Sequence, residues 1–123
     1  MANPNIVNVT SIYGSTSYLI PSTTSATTWT ALTPSAGTVN KIGNIVASNV
    51  TSSAVAVTVS INSAVSGGGT AYRIAYQISV PPNSSLIIAD KTTSFYVGEA
   101  QSVVVTVGTG SAIELTASFE SIT

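Results

Sequence analysis

Apolar and polar residues alternate along most of this chain with a period of two. The pattern is strongest over residues 54–80, where Val55, Val57, Val59 and Ile61 are spaced by Ala56, Thr58 and Ser60. Tyr72, Ile74, Tyr76, Ile78 and Val80 are likewise spaced by Arg73, Ala75, Gln77 and Ser79. Successive side chains of a strand point to opposite faces, so each run predicts a strand with one apolar face against a core. Ser66-Gly67-Gly68-Gly69-Thr70 separates the two runs, and the whole reads as a β-hairpin with a loose loop. Tyr72 and Tyr76 fall on the apolar face, which favours core packing over an aromatic platform for sugar.

The remaining segments follow the same rhythm. Residues 6–13, placed behind Pro4, suit an edge strand or an arm, and residues 1–14 are set apart from a β-sandwich domain over residues 15–123. A short strand is expected at residues 17–20, and residues 26–32 carry the single tryptophan, Trp29. Over residues 39–50, Ile42, Val46 and Val50 fall on one side and Ile45 and Ala47 on the other, with a bulge expected at Gly43 and Asn44. Further strands are predicted at residues 86–89, the first of them buried, and at 94–97, 103–107 and 113–119, each separated by Pro, Gly, Asn or Asp turns. No window repeats apolar residues at i, i+3, i+4 and i+7 over three turns, so no substantial helix is expected. Eight or nine short strands at intervals of roughly 8–10 residues predict an all-β chain, an antiparallel β-sandwich of jelly-roll or Greek-key order in a single domain.

Composition narrows the function. Only 6% of the 123 residues are charged, 44% are hydrophobic, and the net charge is −1. Such a chain has almost no field to attract polyanions, which argues against nucleic acid as a partner. Its mean hydropathy is +0.46, yet no apolar run approaches the roughly 18 residues that span a bilayer, so no membrane partner is expected. The first residues lack the basic and apolar regions of a secretory signal, so production without Sec export is expected; if the protein works outside a cell it leaves by another route, such as release of a particle assembled in the host cytoplasm. The absence of cysteine removes disulfides and thiolate chemistry.

Candidate chemistry is sparse. With no histidine, the commonest general base and metal ligand are missing. Glu114 and Glu120 lie about 20 Å apart along one strand, beyond the roughly 5–9.5 Å of a glycosidase pair. Asp90 and Glu99 sit in turns, where ordinary solvation is favoured over a calcium site. The glycine loop lacks the following Lys and helix of a phosphate cradle. No enzyme activity, metal or cofactor is expected. Trp29, between Thr28 and Thr30, is balanced between core burial and an exposed contact.

A skin of Ser, Thr, Ala, Asn and Gly with little net charge lacks the repulsion that keeps free monomers apart. Strand edges without Lys or Glu guards then suit an oligomer or lattice. The opening MANPNIVNVTSIYG and the block ISVPPNSSLIIADKTTSFYVGEAQSVVVTV at residues 78–107 resemble small virion structural proteins of tailed bacteriophages, especially those infecting cyanobacteria. That resemblance implies a non-enzymatic capsid decoration or cement protein located in the virion, with the major capsid protein or other virion proteins as partners and a homo-oligomer as its state. The alternative is a tail or fibre component binding a carbohydrate or host surface. The interaction candidates are Trp29, the loop glycines Gly67, Gly68 and Gly69, and Ile6 and Val7 of the N-terminal arm.

Overall fold

The computed structural model describes residues 9–123. Nine strands follow in order: β1 (Ile12–Leu19), β2 (Thr27–Thr28), β3 (Val39–Asn49), β4 (Val55–Asn62), β5 (Ala71–Val80), β6 (Ser85–Ala89), β7 (Phe95–Val97), β8 (Ser102–Val107) and β9 (Ile113–Ile122). The only helical turns among the described residues are short 3-10 segments at Thr30–Leu32 and Lys91–Thr93. All strand pairs are antiparallel. One sheet has the order β1-β9-β3-β6, with β7 also on β3; the other has the order β2-β8-β4-β5. β4 pairs with β5, β3 with β6 and β7, β2 with β8, and β1 with β9. This nesting of pairs from the central hairpin out to the chain ends is the jelly-roll order, which the sequence left open against other Greek keys.

The core lies between the sheets. Ile42, Ile45 and Ala47 of β3 and Ile113, Leu115 and Ala117 of β9 meet Val57 and Val59 of β4 and Val103, Val105 and Val107 of β8. Trp29 and Leu32 close the core beside them. Alternation places most of these residues, but a bulge at Gly43 shifts the register of β3 against β9 between Ile42 and Asn44. Asn44 Oδ1 there accepts the Ser118 N–H at 3.1 Å, and a Cβ on Gly43 would stand 3.3 Å from the Ser118 carbonyl. The extra residue lets Ile42 and Ile45 both face inward. Val46 therefore stands half-buried on the outer face and Val50 is exposed, which corrects the expectation that they share a face with Ile42.

Two other expectations change at sheet edges. In β5 only Val80 is buried; Tyr72 and Tyr76 are 64% and 57% exposed, against the core placement that strict alternation gave them. The β4–β5 register slips twice, between Val57 and Val59 and again between Val59 and Ser60. Each slip adds one residue to β5, at Ile74 and at Tyr76-Gln77, and Gln77 takes a φ of 49°. Bulges of this kind break the period of two and turn the strand away from the core. In β6, read as buried, Ala89 is enclosed and Leu86 and Ile88 pack half-buried against the core, while Ile87 stands exposed on the outer face.

Residues 10–11 and Thr123 meet at the start of β1. Ser11 and Thr123 exchange both main-chain bonds, at 3.3 and 2.9 Å. Gly14 falls inside β1, which runs unbroken from Ile12 to Leu19 where the sequence suggested an edge strand or arm up to residue 13 and a separate short strand at residues 17–20.

Candidate interaction surface

Trp29 is core, not surface: it is 1% exposed. Its indole Nε1 donates to Ser17 Oγ at 3.0 Å, and its amide donates to the Val103 carbonyl at 2.7 Å. The threonines beside it do face outward, which is what made the segment look exposed, but the short β2 strand and the 3-10 turn after it aim the ring between the sheets. Ile6 and Val7 lie outside the described residues.

The glycine loop is fastened to the second sheet. Asn62, buried at the end of β4, accepts the N–H groups of Ala64 and Gly69 at 3.0 and 2.9 Å. Its Nδ2 donates to the carbonyls of Gly67 and Gly69 at 3.0 and 3.3 Å. Ser102 Oγ donates to the Ala64 carbonyl at 2.6 Å and Thr28 Oγ1 to that of Ser66 at 3.2 Å. Gly67 has a φ of +79°, and a Cβ there would collide with Thr28 Oγ1 and crowd Val104. The loop thus covers Val104, which points out of β8 and is nevertheless buried. Gly68 and Gly69 remain exposed at its tip.

Among the described residues, the outer face of the first sheet has no such cover. Cross-strand register lines up Tyr18, Thr116, Val46 and Ile87 in one row. A second row runs Gly14, Glu120, Lys41, Tyr96. Tyr18 is 76% and Ile87 64% exposed, and all five tyrosines of the chain are exposed. Gly14, with no side chain, and the Gly43 bulge leave between the rows an open depression of about 460 Å³ floored by Thr16, Ser118 and Phe119. Lys41, Glu114 and Glu120 are the charges on this face's strands β3 and β9. Sequence reasoning missed Tyr18 and Ile87, although Thr16 and Gly14 at alternate positions already marked the Tyr18 side of β1 as too small and polar for a core.

Of the remaining carboxylates, Asp90 is held locally. Asp90 Oδ1 accepts from the Thr92 amide and hydroxyl at 2.9 and 2.6 Å, while the Asp90 amide donates to Thr93 Oγ1 at 2.9 Å. This capping box starts the 3-10 turn. The hydroxyl and amide of Thr92 hold the Asp90 carboxyl below its ordinary value. A depressed carboxyl stabilises the folded turn above its unfolded value, near about 3.9, and that contribution is lost as pH falls through the folded value. The Thr92 amide resonance is therefore expected to titrate with a midpoint below that of a free aspartate, and Asp90→Asn to abolish the titration; a midpoint at or above the free value would contradict the box. Glu99 is buried at 5% exposure in the turn before β8. Among the described residues no three His, Cys, Asp or Glu side chains group as metal ligands.

No family model matches the chain. No curated protein matches it either.

Proposed function

We propose that the protein is a non-enzymatic structural subunit of a phage virion, a decoration protein that seats the outer face of its β1-β9-β3-β6 sheet on the capsid lattice. The observation that carries this reading is that face itself: among the described residues no second layer covers it, and it carries exposed Tyr18, Ile87 and Tyr96 beside the charges of Lys41, Glu114 and Glu120. Exposed apolar and aromatic residues on one flat face mark an interaction site, and tyrosine gives contact area at little cost in side-chain freedom. The jelly-roll order agrees by analogy, being common among viral capsid domains and equally among lectins.

The lectin side of that analogy supports a second reading, a tail or fibre component that binds carbohydrate. Its support is at β5, where Arg73 lies 5.1 Å from the ring centre of exposed Tyr76 and Tyr72 is exposed nearby. Trp29, the strongest sugar-stacking residue type, is withdrawn into the core and lends it nothing.

Quantitative mass spectrometry of purified particles separates the two. The decoration reading expects a copy number comparable with that of the major capsid protein, and Ile87→Asp protein that no longer cosediments with heads. A copy number of a handful per particle, or Ile87→Asp bound as well as the parent, contradicts it.

A further inference from the structure

Among the described residues, every sheet edge is blunted except one. β2 is two residues long. The β6 and β7 edge is split by the 3-10 turn at Lys91–Thr93. β5 carries two bulges, a left-handed Gln77 and the charge of Arg73. These are the devices by which β proteins prevent edge-to-edge pairing. β1 has none of them: eight residues, IYGSTSYL, without charge or proline and paired to β9 in unbroken register from Ile12↔Ile122 to Leu19↔Leu115.

The register also fixes which main-chain groups are free. Antiparallel pairs alternate between those that exchange both bonds and those that exchange none. Ser11 and Thr123 exchange both, so Tyr13, Ser15, Ser17 and Leu19 turn their N–H and C=O groups toward β9. Ile12, Gly14, Thr16 and Tyr18 turn theirs to the open edge, where no other strand among the described residues pairs with them.

We propose that this edge binds the β1 edge of a second copy, antiparallel about a two-fold axis through Ser15 and perpendicular to the sheet. A two-fold of this kind keeps each face on its own side, so only residues of like parity oppose each other. Centring it on Ser15 pairs Ile12 with Tyr18 of the second copy and Gly14 with Thr16, and repeats both pairs on the other side of the axis. All four outward residues of each strand are then satisfied by about eight main-chain hydrogen bonds. Exposed Ile12 packs on exposed Tyr18 twice, an apolar–aromatic cross-strand pair of the kind that stabilises sheets, and no charge is brought against another. The two five-stranded sheets become one, and their outer faces form a single doubled attachment surface. The pairing rests on the structural-subunit reading for its use in a particle, while its geometry stands on the edge alone.

The chain has no cysteine, so one introduced thiol reports the axis. Ser15 of one copy faces Ser15 of the other in a non-bonded pair with Cα atoms about 4.5 Å apart, within the roughly 4.4–6.8 Å that a disulfide spans. Ser15→Cys is expected to oxidise to a linked dimer, while Thr16→Cys, whose opposite residue is Gly14, and Ser79→Cys on the exposed side of β5 stay unlinked. By light scattering, the parent is expected to show twice the 12.4 kDa mass of one chain. Tyr18→Lys should raise the dimer dissociation constant about tenfold or more. Thr16→Pro, which removes an outward N–H and no bond to β9, should leave a folded monomer. A parent that is monomeric at every concentration, or a dimer that survives both substitutions with Ser15→Cys unlinked, overturns the pairing. Loss of head binding by a protein that still forms the Ser15 link overturns the virion reading and leaves the pairing intact.

Discussion

Trp29→Ala is expected to remove about 3–5 kcal/mol from the unfolding free energy, the range for deleting a buried large aromatic. Small domains have about 5–15 kcal/mol in all, so the variant should be close to unfolding at room temperature. The ring is enclosed by both sheets at 1% exposure and its indole N–H holds Ser17 of β1, while the main-chain amide of the same residue holds Val103 of β8. Truncation opens a cavity between the sheets and leaves the Ser17 hydroxyl without its donor. Trp29→Phe keeps most of the ring and loses the indole bond, so about 1–2 kcal/mol is expected. Because this is the single tryptophan, urea unfolding of the parent followed by its fluorescence, and of the variants by circular dichroism, checks both values. A loss under about 1 kcal/mol for the alanine variant would mean that the ring is not part of the core.

Asn62→Ala is expected to cost about 2–3 kcal/mol, more than an ordinary hydrogen bond, because in a part-buried site it strips two amides and two carbonyls of one partner each. Asn62 is 3% exposed, so little water reaches the site to replace it. The loss should be concentrated in the loop: hydrogen exchange at Ala64 and Gly69, whose N–H groups end on Asn62 Oδ1, should accelerate far more than exchange in β8 or β9. Uniform acceleration through the sandwich, or none in the loop, would contradict the role of Asn62 as the anchor of residues 63–70.

Legibility in the sequence follows the number of layers around each strand. β8 and β9 are interior strands, and Val103, Val105, Val107, Ile113 and Leu115 are buried as their alternation predicts. The Gly43 bulge was legible too, since Gly-Asn within an apolar run marks a place where a strand gains a residue. β5 was not legible, because its alternation of Tyr, Ile and Val is that of a core strand. The two extra residues that rotate it outward leave no mark beyond Gln77, a residue type that gives no sign of a left-handed φ. Trp29 was undecided for a related reason: a two-residue strand followed by a 3-10 turn has no period to read. The glycine loop showed its need for unusual backbone at Gly67, but its anchor, Asn62, is set by contacts to residues up to seven positions ahead.

The interaction surface was the least legible part. Its rows are made across strands distant in sequence, with Tyr18, Thr116, Val46 and Ile87 side by side only once the jelly-roll order is known. Each of them reads alone as an ordinary strand residue. The unguarded edge of β1 is likewise a property of comparison, visible when the bulges of β5 and the short length of β2 are set beside it.

A cryo-EM map of the proposed parent particle tests the proposed attachment face most directly. The account predicts copies arrayed regularly over the head, with Tyr18, Val46, Ile87 and Tyr96 turned down onto the shell and Tyr72 and Tyr76 away from it. Copies found at a fibre tip with Tyr72 and Tyr76 leading, or on the head with the Tyr18 to Ile87 row open to solvent, would contradict it.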